Sequence, residues 1–229
     1  MKKHYVLYPD QSGLNGVPIY LNARLWENID DLEDLMKPYS KYYEWDKFEY
    51  KTEKFPSKLF FIVQAPKISF DYYPFRSGII VSQNFIDILL DFTTDFSIVP
   101  LEVYSNRMKR ITTKKYYFMK FKSYLVDGID YEKSIFRPNL ADTGEIMMID
   151  NHPWVADFEK IELNDLSIEN KDIFCLHGWI FFNKPIISEK SLKAMLDNRL
   201  YGIKYVEMNS IIDFYKNKEF LKKTSSIIG

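Results

Sequence analysis

The sequence predicts an α+β fold in which a mixed, mainly antiparallel sheet carries a few helices. Short runs of β-branched and aromatic residues alternate with turn residues along most of the chain, as in sheet proteins. Only a few stretches place apolar residues at helical spacing. The 229 residues, 46% apolar and 28% charged, suffice for a self-supporting core of ordinary globular composition.

The first part of the chain is predicted to contain a strand, a turn-rich stretch and a helix. Tyr5 to Tyr8 form a short strand that Pro9 ends. A helix runs from Ile29 to Met36 with Asn28 as its N-cap, and Pro38 ends it. A Tyr-rich stretch follows. We therefore divide the chain into an N-terminal subdomain, residues 1–57, and an α+β domain, residues 58–229.

The second part is predicted to alternate strands with three helices. Strand composition marks Leu59–Val63, Ile68–Tyr72, Gly78–Val81, Phe96–Val103, Tyr116–Phe121, Glu145–Ile149, Phe158–Leu163, Asp172–Phe182 and Ile203–Met208. The helices cover Gln83–Phe92 behind an N-cap at Ser82, the stretch from a cap at Ser188 to Arg199, and Ile211–Lys222. Because Pro100 cannot donate to a ladder, its strand should lie at an edge or carry a bulge.

A weak internal repeat suggests two related strand–helix–strand halves. The segment from Ile79 to Ser82 matches the segment from Pro185 to Ser188 in position. Apolar residues then recur at matching offsets in the two helices: Ile86 with Leu192, Leu89 with Met195, and Leu90 with Leu196. A chance recurrence of this common unit is the alternative.

Charge and cysteine content narrow the classes of function. With 31 basic and 32 acidic side chains, the chain lacks the basic surplus that a sequence-independent grip on nucleic acid requires. Its one cysteine, Cys175, cannot form an internal disulfide. No segment has the apolar length of a signal peptide or membrane span. We therefore expect a soluble cytoplasmic protein with no membrane or nucleic-acid partner.

Two clusters could carry chemistry, and both have a simpler structural explanation. Cys175 and His177 would share one side of a strand, but their neighbours are those of a buried apolar strand. Asp127, Asp130 and Glu132 could hold a divalent cation, although a turn with surface ion pairs explains them equally well. The sequence contains no phosphate-binding loop, nucleophile elbow or paired metal-ligand motif. We therefore predict no catalytic residues, no metal and no cofactor.

A family resemblance is carried by a succession of short segments: Ile80-Val81-Ser82, Ile98 to Val103, Tyr116 to Met119, Asp127 to Ser134, Asp172-Ile173-Phe174, Ile187 to Lys190 and Leu200 to Ile203. These segments resemble bacterial immunity proteins of polymorphic toxin systems, and more narrowly an α+β immunity family first noticed beside myxobacterial toxins. The resemblance covers roughly residues 60 to 210. It implies a cytoplasmic antidote, encoded beside a toxin, that blocks the toxin by direct binding and has no catalytic residues.

The contact residues of such a partner are predicted in the first 57 residues. The acidic helix offers Asp30, Asp31, Glu33 and Asp34 to a basic toxin cleft. If exposed, the adjacent Tyr39, Tyr42, Tyr43 and Trp45 are of the types enriched at binding hot spots. Two alternatives remain: a metal-dependent hydrolase or nuclease using Asp127, Asp130 and Glu132, and a module whose aromatic rings stack on a ligand.

Overall fold

The computed structural model describes residues 2–14, 16–28, 43–47, 55–149, 151–176, 181 and 184–217. The strands in this part of the chain are β1 (His4–Pro9), β2 (Ala23–Trp26), β3 (Leu59–Val63), β4 (Tyr72–Phe75), β5 (Gly78–Ser82), β6 (Phe96–Ser105), β7 (Tyr116–Phe121), β8 (Ile135–Pro138), β9 (Met148–Ile149), β10 (His152–Pro153), β11 (Val155–Lys160), β12 (Ile173–Phe174), β13 (Ile186–Ser188) and β14 (Ile203–Glu207). The helices are α1 (Gln83–Leu89), α2 (Asp165–Ile168), α3 (Glu189–Asp197) and α4 (211–217).

The chain divides into two compact units that interleave along the sequence. The first unit consists of residues 1–7, 124–190 and 205–229, and the second consists of residues 8–123 and 191–204. The predicted boundary after residue 57 falls inside the second unit, where β2 pairs antiparallel with β3. The compact units therefore differ from the division into residues 1–57 and 58–229, and that division stays a prediction.

A six-stranded sheet organises the second unit, with the strand order β2-β3-β6-β7-β5-β4. Only β3 and β6 pair parallel, and the other neighbours are antiparallel. Strand β3 is buried along its whole length, as its continuous apolar run predicts. Phe61 contributes to the large core cluster on one face, while Phe60 packs with Trp26 on the other. The mixed, mainly antiparallel sheet confirms the α+β prediction.

Pro100 lies in β6, which has neighbours on both sides over part of its length. β7 pairs with β6 from Phe96 to Leu101, whereas the parallel pairing with β3 begins only at Leu101. At Pro100 the strand is therefore paired only on its β7 side. The missing N–H falls where β6 is locally an edge, which reconciles the proline with an interior strand.

Four predicted strands differ from the observed ones by three or more residues at an end. Strand β9 is Met148–Ile149 where Glu145–Ile149 was predicted, and β11 is Val155–Lys160 where Phe158–Leu163 was predicted. Strand β4 begins at Tyr72 rather than at Ile68. Ile68 and Phe70 are buried in the core cluster without belonging to a strand, so their apolar character reflects packing and not ladder formation. Likewise β12 consists of Ile173 and Phe174, and residues 177–180 of the longer predicted strand lie outside the described residues.

Most residues of a four-stranded sheet with the order β12-β13-β1-β14 belong to the first unit. β1 and β12 both pair antiparallel with β13, so this N-terminal strand lies inside the sheet. Two small antiparallel sheets, β8 with β11 and β9 with β10, occupy residues 135 to 160.

The two sheets contain a geometrically equivalent hairpin, helix and strand. Ser82 ends β5 and donates its hydroxyl to Asp71 Oδ1 at 2.6 Å, and Ser188 ends β13 and donates to Asp172 Oδ1 at 2.8 Å. In both cases the serine N–H also donates to the aspartate carbonyl. β5 and β6 then flank β7, just as β13 and β14 flank β1. The strand between the two flanking strands differs in origin. In the six-stranded sheet it is β7, which follows β5 and β6 in the sequence, whereas in the four-stranded sheet it is the N-terminal β1. A duplication of the sequence stays a prediction, but this matching geometry supports it.

Candidate functional site

Two of the predicted contact residues, Tyr43 and Trp45, are buried in the core of the second unit. Trp45 is 2% exposed and stacks on Tyr43 at 5.2 Å between ring centroids. The Trp45 ring also packs edge to face with the ring of Phe118 in β7, with the ring centroids 5.4 Å apart. The indole N–H of Trp45 donates a hydrogen bond to Glu27 Oε1 at 2.7 Å. The sequence indicated these residues as binding contacts only if their side chains are exposed. Because both rings are buried, they stabilise the core and do not form a stacking surface.

The other predicted contact residues lie outside the described residues. They are Asp30, Asp31, Glu33, Asp34, Tyr39 and Tyr42. Their role in binding a partner stays a prediction.

A buried lysine forms hydrogen bonds with the backbone around Trp45. Lys120 of β7 donates its ammonium to the carbonyl oxygens of Trp45 at 2.8 Å and of Lys47 at 2.5 Å. Burial lowers the pKa of Lys120 to about 8, and the nearby Asp46 opposes this shift. Asp46 also pairs with Arg76 and accepts a hydrogen bond from Ser77. These hydrogen bonds attach the segment from Trp45 to Lys47 to strand β7. The buried ammonium of Lys120 therefore has a structural role.

Asp127 and Asp130 of the predicted cation cluster contact two different side chains. Asp130 Oδ2 lies 2.7 Å from Lys133 Nζ, and this hydrogen bond lowers the pKa of Asp130. Asp127 Oδ1 lies 2.8 Å from His152 Nε2. Within the described ranges, no group of three or more His, Cys, Asp or Glu is placed to hold a metal ion. The arrangement matches the turn and surface pairing that the sequence also allowed.

Cys175 is fully enclosed in the first unit. Burial raises the pKa of its thiol above the ordinary range, so the neutral thiol is strongly favoured over the nucleophilic thiolate. The backbone carbonyl of Cys175 accepts a hydrogen bond from the N–H of Leu125, so the segment at Leu125 is attached to the chain just after β12. His177 lies outside the described residues. The geometry of Cys175 is that of a small core residue.

A broad groove of about 1030 Å³ runs along β6 and β7 in the second unit. Its charged lining consists of Lys67, Arg110, Lys114, Lys115 and Glu102. Lys114 pairs with Asp71, and Glu102 pairs with Lys58, so both charges are already partly satisfied. Four of these five charged side chains are basic, so the charge of the groove would complement an acidic segment.

A smaller cavity of about 180 Å³ lies in the first unit beside His4. The Nε2 atom of His4 is buried and has no hydrogen-bond partner among the described residues. Burial lowers the pKa of this imidazole, which favours its neutral form. The ring also packs edge-on against Phe174 at 5.7 Å, so His4 belongs to the packing of its sheet.

The helices that the structure describes are all too short or too polar to cross a bilayer.

Comparison with known proteins identifies a family to which the chain is similar. The family model described as Immunity protein 43 matches residues 10–222. The match includes residues 60 to 210, which carry the resemblance in the sequence, and it extends over most of the first 57 residues. No curated protein matches the chain.

Proposed function

This chain belongs to the Immunity protein 43 family, and on that basis we propose that it neutralises a cognate bacterial toxin by direct protein–protein binding. The observation that carries the proposal is the match over residues 10–222. The protein acts without chemistry of its own, by occupying a surface that the toxin needs, such as its active cleft.

Contacts in the described residues are compatible with a binding role. The chemically reactive side chains that the sequence singled out serve the fold: Cys175 is buried, and Asp130 is paired with Lys133. The rings of Tyr43 and Trp45 fill the core. The exposed side chains of the described residues therefore give a binding partner a surface with a defined shape and charge distribution.

The toxin is encoded next to this gene and meets the protein in the cytoplasm, as the mode of action of an antidote requires. Within the first 57 residues, the contact residues that we propose are the four acidic residues Asp30, Asp31, Glu33 and Asp34, with Tyr39 and Tyr42 beside them. Their carboxylates would accelerate encounter with a basic cleft.

The proposal is tested by expressing the product of the neighbouring toxin gene in a bacterial host with and without this protein. We expect growth to stop with the toxin alone and to continue when both are present. Purification of the tagged toxin domain should recover the protein in a one-to-one complex. Lack of protection, together with lack of a complex at micromolar concentration, would rule the function out.

A further inference from the structure

The segment from Pro138 to Glu159 has an unusual charge composition. It contains five acidic residues and no Lys or Arg, although 31 of the 229 residues are basic. Exposed carboxylates in this segment belong to Asp142, Glu145, Asp157 and Glu159. Among the residues that the structure describes, no Lys or Arg forms an ion pair with any of these four. The segment therefore presents a surplus of negative charge, although Arg137 of β8 lies opposite Asp157 in the strand pairing.

The backbone of this segment is held in a fixed shape by its own hydrogen bonds. Met147 donates its N–H to the Asn139 carbonyl, and Ala141 donates to the Glu145 carbonyl, both at 2.9 Å. Trp154 donates its N–H to the Met147 carbonyl at 2.7 Å, which ties a third extended stretch to the hairpin. A surface with such internal support loses little conformational entropy when a partner binds.

Three large apolar side chains project from one face of this hairpin. Leu140 and Ile146 are antiparallel partners, so their side chains lie on the same face. Met148 follows Ile146 by two residues in an extended stretch, which places it on that face too. We call these three residues the apolar row. They are 58%, 51% and 55% exposed, respectively.

We propose that the apolar row and the carboxylates of the same segment form a second surface that binds the toxin, in addition to the acidic residues proposed above, and that its counterpart on the toxin is an apolar centre surrounded by Lys and Arg. This inference rests on the proposed function. An apolar centre with a polar rim is the usual arrangement of a protein interface. The unpaired carboxylates select a basic partner and speed its approach. Trp154, 43% exposed, adds a side chain of the type enriched at hot spots.

The test uses the full chain and the purified toxin domain encoded by the neighbouring gene. Ile146→Lys places a cation in the apolar row, opposite the apolar centre of the toxin surface and close to the Lys and Arg that surround it. We expect it to weaken binding at least about tenfold, the cost of losing an interface anchor. The matched control is Leu166→Lys in α2, where the wild-type leucine is 87% exposed and belongs to neither the row nor its rim. It should change the dissociation constant by less than about twofold.

Hydrogen exchange of the wild-type complex gives a second readout that does not depend on a variant folding. Amides of residues 139 to 148 should exchange more slowly in the complex than in the free protein. Normal binding by a folded Ile146→Lys protein would overturn the inference and leave the proposed function standing, as would unchanged exchange over these residues. A wild-type chain that dimerises through this face would also overturn it. Failure of the wild-type protein to bind the toxin would instead refute both.

Discussion

The hydroxyl of Ser82 lies 2.6 Å from a carboxylate oxygen of Asp71. This contact joins the residue before β4 to the residue that ends β5. The same hydroxyl oxygen accepts the N–H of Phe85 and so caps α1. Asp71 Oδ1 also accepts a hydrogen bond from Lys114, and Asp71 Oδ2 accepts the N–H of Tyr201 at 2.6 Å. One carboxylate thus connects four segments of the second unit.

Replacing Asp71 by alanine should destabilise the protein by about 2–4 kcal/mol, because it leaves buried donors without their acceptor. Urea unfolding followed by circular dichroism measures the loss. The matched control is Asp172→Ala, which removes the equivalent bond to Ser188 at a partly exposed position. It should cost about 1 kcal/mol. Equal losses at the two positions would contradict the central role of Asp71.

Trp45→Ala should lower the free energy of unfolding by about 3–5 kcal/mol, because it empties a large volume between Tyr43 and Phe118. Tyr20→Ala removes an aromatic ring that is 80% exposed and should change stability by less than about 0.5 kcal/mol. Thermal and urea unfolding of both variants provide the comparison. A Trp45→Ala protein of wild-type stability would show that the ring does not belong to the core.

The stability contribution of Lys120 should depend on pH. Its folded-state pKa of about 8 lies below the ordinary value of 10.5, so between these pH values the unfolded chain retains a proton that the folded chain has lost. The free energy of unfolding contributed by Lys120 therefore rises as pH rises from about 8 to about 10.5.

Lys120→Met isolates this effect because the other titrating groups are common to both proteins. Between pH 7 and pH 10, the stability of the wild type relative to the variant should increase by roughly 1–3 kcal/mol. Urea titrations at intervals of half a pH unit would detect this change. A pH-independent difference would show that Lys120 keeps its ordinary pKa in the folded protein.

Gly202→Ala should be more damaging than Gly144→Ala. Both glycines have positive φ values, +79° and +84°, so both variants carry the cost of a left-handed alanine, about 1–2 kcal/mol. A Cβ at position 202 would also lie 2.7 Å from Phe70 Cβ, whereas a Cβ at position 144 meets nothing within 4 Å. The crowding should add about 1–3 kcal/mol at position 202 only. Similar unfolding midpoints for the two variants would refute the close packing against Phe70.

Neutralising the four predicted acidic contacts should slow association with the toxin. The combined variant Asp30→Asn, Asp31→Asn, Glu33→Gln and Asp34→Asn is expected to reduce the association rate about tenfold at low ionic strength. The difference should shrink at 0.5 M salt, where the charges are screened. Stopped-flow measurements give both rates, and an unchanged rate at low salt would show that these carboxylates do not steer the encounter.

Local patterns in the sequence predicted much of the fold. Ser82 followed by an amphipathic stretch predicted a capped helix, and the structure shows the cap hydrogen bond to Phe85. The apolar run Leu59–Val63 predicted a buried strand, which is β3. Such elements follow from spacing and residue type, and both are properties of neighbouring residues.

What the sequence left open depends on contacts between distant residues. Trp45 is buried because Phe118 packs against its edge, and no local pattern indicates that pairing. Asp127 contacts His152, which is 25 residues away in the sequence, and no local pattern indicates that contact. The apolar row is a similar case. A strand over Glu145–Ile149 was predicted, but the exposure of Ile146 and Met148 depends on what the rest of the fold leaves uncovered.

The position of β1 between β13 and β14 affects how the protein is made. Residues 4–9 leave the ribosome long before Ile186 and its neighbours, with which β1 pairs. During most of synthesis, the apolar stretch from Tyr5 to Tyr8 therefore has no strand to pair with and is a potential site of aggregation or chaperone binding. The sheet is complete only after β14, the last strand among the described residues, has been translated, so a nascent chain stalled before β14 can pair only β12, β13 and β1.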